Sequence, residues 1–130
     1  MNVMLVDDDR ECLDSLSSAL RLEGFQVKEF DTPAQALSEY NPSFIDVVIT
    51  DYYLPGMTGI ELLKEIQRRK TDAPVIIISG APKTSTIEHI SLKAGARAFF
   101  SKPLDIRQVI AMIKRCDASF QYDFTKPSPQ

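Results

Sequence analysis

The chain has 130 residues, 44% of them hydrophobic and 25% charged, with 15 Lys and Arg against 18 Asp and Glu for a net charge of −3. That size suits one compact domain with one core, and the acidic balance excludes binding of nucleic acid by overall charge alone, which calls for a basic face. No apolar run reaches membrane-spanning length and none near the start has the form of a signal peptide, so a cytoplasmic protein is expected, with no membrane contact. Cys12 and Cys116 lie far apart in no metal-like spacing and read as free thiols of a reducing compartment.

In chain order, Asn2–Val6 is a strand-sized apolar run that ends in Asp7-Asp8-Asp9. Leu13, Leu16 and Leu20 then repeat at helical spacing, and Gly24 stands where a helix should stop. Phe25–Phe30 is the second strand. Thr32-Pro33 marks a helix start, N-cap followed by proline, with Gln35 placed to close a capping box. The third strand, Ile45–Thr50, runs into Asp51 and a Leu-Pro-Gly turn. Thr58 with Glu61 opens the third helix, whose inner stripe is Ile60, Leu63 and Ile66. Val75–Ser79 is the fourth strand. A fourth helix starts at Ser85 with Glu88 and ends before Gly95. Arg97–Ser101 is the fifth strand and leads into Lys102-Pro103. Asp105 with Gln108 opens a last helix with Ile106, Val109, Ile110 and Ile113 on one face. Residues 1–118 form the expected domain. Residues 119–130 turn polar and proline-bearing and read as a tail or linker, in which Phe120, Tyr122 and Phe124 either pack back or lead to a further domain.

Strands that alternate with helices predict a doubly wound α/β fold, a five-stranded parallel sheet in a three-layer sandwich. Continuous apolar runs such as Val75–Ile78 fit strands covered on both faces. In such sheets ligands bind outside the carboxyl ends of the strands. Those ends carry Asp7, Asp8, Asp51, Ser79 and Lys102. Two like charges ~4 Å apart repel by about 4 kcal/mol at an effective dielectric of 20, so an acidic cluster there calls for a cation. An all-carboxylate set suits a hard ion, Mg²⁺ or Mn²⁺. Three carboxylates, one lysine and one divalent ion sum to zero charge, a site able to admit a phosphoryl group. Asp51 is then a carboxylate nucleophile that forms an aspartyl phosphate, with Lys102 and Ser79 at the phosphoryl oxygens. Taken singly, Asp9 is accounted for as an N-cap near the helix dipole, and Asp51 or Lys102-Pro103 as ordinary turn residues.

Together the pieces M-L-V-D-D-D, V-V-I-T-D-Y-Y-L-P-G-M-T-G, P-V-I-I-I-S-G and G-A-R-A-F-F-S-K-P resemble, in order and spacing, the response-regulator receiver family of two-component systems, over residues 1 to about 118. The resemblance implies a flavodoxin-like sheet of order 2-1-3-4-5 and a phosphoacceptor rather than a classical enzyme, one that assists its own phosphorylation and dephosphorylation. It implies Asp51 as phosphoacceptor, Asp8 as a direct metal ligand, Asp7 acting through water, and the Tyr53 carbonyl completing the ligands. It further implies Ser79 and Phe99 as the switch pair, Lys102 as the family's lysine, and a cis bond before Pro103. The partners implied are a histidine kinase or phosphotransfer protein, a downstream effector, and a phosphorylation-dependent homodimer through the fourth helix, fifth strand and fifth helix.

Departures from the commonest pattern are Phe99 in place of tyrosine, the bulky Tyr53 beside Asp51, Thr58 in a capping role only, and a loop from Gly80 to Ser85 that is one residue longer and contains Pro82. Three rival readings fit the residues less well. A haloacid-dehalogenase-like phosphatase lacks its second Asp, since that position is Tyr53. A flavodoxin-type electron carrier would have its flavin phosphate repelled by Asp7-Asp8-Asp9. A pseudo-receiver, a binding module without phosphorylation, is opposed by the intact acidic set. His89 reads as a surface residue, and Met57 and Met112 as packing residues.

Overall fold

The computed structural model describes residues 1–80 and 85–117, Ser85 by its backbone alone. The elements run β1 (Asn2–Val6), α1 (Arg10–Leu22), β2 (Gln26–Phe30), α2 (Pro33–Glu39), β3 (Val47–Asp51), β4 (Tyr53–Leu54), β5 (Met57–Thr58), α3 (Gly59–Arg69), β6 (Val75–Ser79), α4 (Ser85–Lys93), β7 (Ala98–Ser101) and α5 (Ile106–Arg115). Five strands pair in parallel in the order β2-β1-β3-β6-β7. This is the expected 2-1-3-4-5 sheet. β4 and β5 add to the expected elements: the Leu-Pro-Gly turn is the bend of a two-rung antiparallel ribbon around Pro55-Gly56, with Gly56 at φ +76°.

The central strands β3 and β6 are buried at every residue, as continuous apolar runs demand. Edge strand β2 alternates instead, and its Lys28 and Glu29 keep that edge from pairing with other chains. One core layer holds Met4, Val6, Val48, Val75 and Ile77 against Ala36, Leu62, Leu63 and Ile66 from α2 and α3. The other holds Val3, Leu5, Ile49, Ile76 and Ile78 against Leu13, Leu16 and Leu20 of α1 and Val109 and Ile113 of α5. Each fully buried aliphatic side chain contributes about 1.5–3 kcal/mol, which fixes the strand register and hence where the strand ends converge.

Helix starts mostly follow the sequence signals. Asp9 caps α1, accepting from the Glu11 and Cys12 amides, and Thr58 with Glu61 forms a complete capping box on α3. Two boxes are only half made. Thr32 accepts from the Gln35 amide without a reciprocal bond, and Asp105 accepts from the Arg107 amide rather than pairing with Gln108. Gly24 (φ +96°) and Gly95 (φ +112°) take the left-handed positions just past α1 and α4. Both cysteines are free. Pro82 and its loop, the Ser85 cap and the tail with Phe120, Tyr122 and Phe124 lie outside the described residues. Among the described residues no helix is long and apolar enough to cross a membrane.

Candidate functional site

Strand order reverses between β1 and β3, so a crevice opens at their carboxyl ends. Asp7 follows β1 directly and Asp51 is the last residue of β3. Both are almost fully buried, 3% and 7% exposed, while Asp8 faces solvent. Each of the three offers a carboxylate oxygen, and these oxygens lie within 4.8 Å of one another. An all-oxygen, anionic set at that spacing is able to hold a hard divalent cation.

Lys102, just past β7, reaches across the sheet edge. Its Nζ donates to Asp51 Oδ2 at 2.7 Å and to Asp7 Oδ2 at 2.9 Å. The remaining carboxylate oxygens are also held: Asp51 Oδ1 accepts from the Tyr53 amide at 3.1 Å, and Asp7 Oδ1 from the Asp9 amide at 2.9 Å. The Lys102–Pro103 bond is cis. Lys102 is tied back by its amide, which donates to the Ser79 carbonyl at 2.8 Å. Ser79 is buried at the end of β6, in register with Ser101. Phe99, in register with Ile77, lies on the same sheet face as Ser79 and is half-buried against the α2–α3 core layer.

The electrostatics follow from burial. Desolvation pushes the Asp51 pKa up; the Lys102 and Tyr53 hydrogen bonds oppose it, and the nearby Asp7 charge adds to it. Burial also works against the Lys102 ammonium, yet its bonds to Asp51 and Asp7 outweigh that and hold its pKa above the ordinary lysine value.

Two contributors were not visible in the sequence. Cys12, in the first turn of α1, has its thiol pushed up to about 12 by burial and by a hydrogen bond to Asp7, so it sits beside the site as a protonated donor. A lone cysteine among helix residues carries no signal of that contact. Gly59 starts α3 with its amide 2.6 Å from the Tyr52 carbonyl oxygen, and a Cβ there would collide with the Asp51 carbonyl oxygen. Its place in the quoted M-T-G motif was readable; the reason for it was not. Tyr53 turns its ring outward, 54% exposed, edge-on to Tyr52 with centroids 4.7 Å apart. His89 is exposed on α4.

The family described as "Response regulator receiver domain" matches residues 3–114. The chain belongs to that family. The receiver is 33% identical over 114 residues to the sensory transduction protein RegX3 of Mycolicibacterium smegmatis, covering 87% of this chain and 49% of that one. Among solved structures, a CheY-like response regulator receiver domain protein of Methanospirillum hungatei is 31% identical with a TM-score of 0.78, covering 88% of this chain and 90% of that one. The beryllofluoride-activated NtrC4 receiver domain dimer is 28% identical with a TM-score of 0.81, covering 88% and 94%. The chain spans between 17% and 49% of the length of the curated relatives compared.

Proposed function

We propose that the receiver accepts a phosphoryl group on Asp51 from a histidine kinase or phosphotransfer protein, with Mg²⁺ (or Mn²⁺) held by Asp7, Asp8, Asp51 and the Tyr53 carbonyl. The observation that carries this reading is the pair of hydrogen bonds that the Lys102 ammonium donates to Asp51 and Asp7 within a cluster of three convergent carboxylates. A carboxylate oxygen of Asp51 attacks the phosphorus of a phosphohistidine. The P–O bond forms, the P–N bond breaks, and the imidazole leaves with the electron pair and takes a proton from solvent. A divalent cation held by these groups would supply charge neutralisation for the transferring phosphoryl group. Lys102 is placed to move its hydrogen bond from the carboxylate to a phosphoryl oxygen, and Ser79 to donate another.

Phosphorylation then becomes signal through Ser79 and Phe99. The phosphoryl group draws the Ser79 hydroxyl, Phe99 fills the space it vacates, and the α4–β7–α5 face changes shape for a partner. Residues 1–118 act as the signalling unit, and 119–130 as a linker or tail. The greater length of the relatives supports an effector domain or separate effector protein downstream, and the NtrC4 dimer supports a phosphorylation-dependent homodimer. The setting proposed is cytoplasmic.

The test is intact mass after incubation with acetyl phosphate and Mg²⁺. One added phosphoryl group, absent in Asp51→Asn and in chelator, is the expected result. No gain, repeated with a phosphorylated kinase as donor, would replace this reading with that of a binding module built on the receiver fold.

A further inference from the structure

Beside the acidic site a second depression opens on the α4–β7–α5 face. It is a cleft of about 370 Å³, with Glu88 of α4 and Asp105 at the start of α5 among its walls and Phe99, Phe100 and Gln108 also lining it. Its charge is one-sided. Lys102 also reaches the cleft, but its ammonium is spent on Asp51 and Asp7. Among the described residues neither Glu88 nor Asp105 makes an ion pair. Asp105 uses Oδ1 to cap α5 through the Arg107 amide, which leaves acceptor capacity on its other oxygen.

We infer that this cleft receives an arginine side chain from the protein partner read by the α4–β7–α5 face. Acceptors and aromatic side chains line one recess. A guanidinium presents a donor fork to carboxylates and a flat cationic plane to aromatic surface, where a lysine offers a compact, strongly hydrated charge. Because Phe99 lines the cleft and also packs on the core, any movement of that ring changes the recess and therefore the affinity. By linkage, an arginine-bearing partner favours whichever ring position it binds. The assignment rests on the reading of this face as the output surface, but its test needs neither metal nor phosphorylation, so its failure leaves the phosphoacceptor reading standing.

The experiment is an NMR titration of isotope-labelled, unphosphorylated full chain with the blocked tripeptide acetyl-Gly-Arg-Gly-amide and with its neutral citrulline counterpart. The expected result is saturable shifts of the Glu88, Phe99, Phe100 and Gln108 amides with the arginine peptide only. Glu88→Gln and Asp105→Asn should each weaken binding about two- to five-fold, the range of an exposed charge pair. Asparagine keeps the helix cap, so the second variant preserves α5. Equal shifts with citrulline, unchanged binding in both variants, or no saturable shift at these amides would overturn the proposal. Shifts that grow with protein concentration without peptide would also overturn it and assign the face to a second copy of the chain.

Discussion

Lys102 and Asp51, 51 positions apart in the chain, close to 2.7 Å between Nζ and Oδ2. With Asp7 on the same ammonium, one cation serves two nearly buried carboxylates. Removing it strands both. Lys102→Met is therefore expected to lose about 3 kcal/mol of stability at pH 7 in chelator, the cost of breaking a buried pair, and to regain part of it when Mg²⁺ is added. Urea unfolding with and without the metal checks this. A loss that Mg²⁺ leaves untouched would mean that the three carboxylates do not share a cation site.

Asp51→Asn should act in the opposite direction. The folded-state pKa of Asp51 lies above its unfolded value, with burial as the largest cause. The folded protein then binds the proton more tightly than the unfolded chain, so the ionised carboxylate costs stability that accrues as pH rises from the unfolded value of about 3.9. The metal-free variant is expected to melt higher than wild type at pH 7, with the gain shrinking as pH falls toward 3.5. Melting curves in chelator across that range test it, and a gain independent of pH would refute it.

How much of this was legible in the chain divides along physical lines. Binary pattern and punctuation are local, so the five parallel strands, the Asp9 and Thr58 caps and the Gly24 and Gly95 stops could be read in sequence order. The convergence of Asp7, Asp51 and Lys102 followed from the rule that parallel α/β sheets gather their chemistry at strand carboxyl ends. The Cys12–Asp7 contact and the crowding at Gly59 depend on atoms brought together by packing, which no periodicity reports. The β4–β5 ribbon was missed because two residues per strand are too few to show alternation, and the Gln35 and Gln108 boxes failed because a side chain able to reach back still has solvent as an alternative partner.

Gly59→Ala should damage the site from outside it. The new Cβ meets the Asp51 carbonyl oxygen, so either α3 or the end of β3 must shift. Misplacement by about 1 Å costs roughly 10²-fold in a positioned reaction. Phosphorylation by acetyl phosphate is expected to slow at least ten-fold, with stability falling by about 1–3 kcal/mol. Thr58→Ala, one residue earlier, is the control: loss of its capping box costs about 1 kcal/mol and should leave the phosphorylation rate unchanged.

Tyr53 bears on the lifetime of the phosphoryl group. Its amide holds Asp51 Oδ1, and its exposed ring is carried on a residue two positions from Asp51. A ring of that size swung over the aspartyl phosphate would obstruct water approaching it. Tyr53→Gly keeps the amide donor and removes only the ring, so dephosphorylation followed by mass or by release of inorganic phosphate should quicken several-fold. An unchanged rate would assign the ring to partner contact alone.

Ser79 and Phe99 carry the last prediction, which separates acceptance of the phosphoryl group from its readout. Ser79 is buried at the end of β6, and Phe99 lies on the same face of the sheet, two residues before the register partner of Ser79. On the proposed mechanism, removing the hydroxyl takes away one donor to the phosphoryl group, while the Asp51–Lys102–Asp7 arrangement stays in place. Ser79→Ala should therefore still gain one phosphoryl group, at a rate lowered by about ten- to 150-fold, since one hydrogen bond to a charged group is worth about 1.5–3 kcal/mol. Its α4–β7–α5 amide spectrum should nonetheless fail to shift on addition of beryllofluoride and Mg²⁺. Phe99→Ala should be phosphorylated at the wild-type rate and show the same silence on that face. If both variants respond as wild type does, the signal leaves the site by another route, and the pairing of these two residues has no part in it.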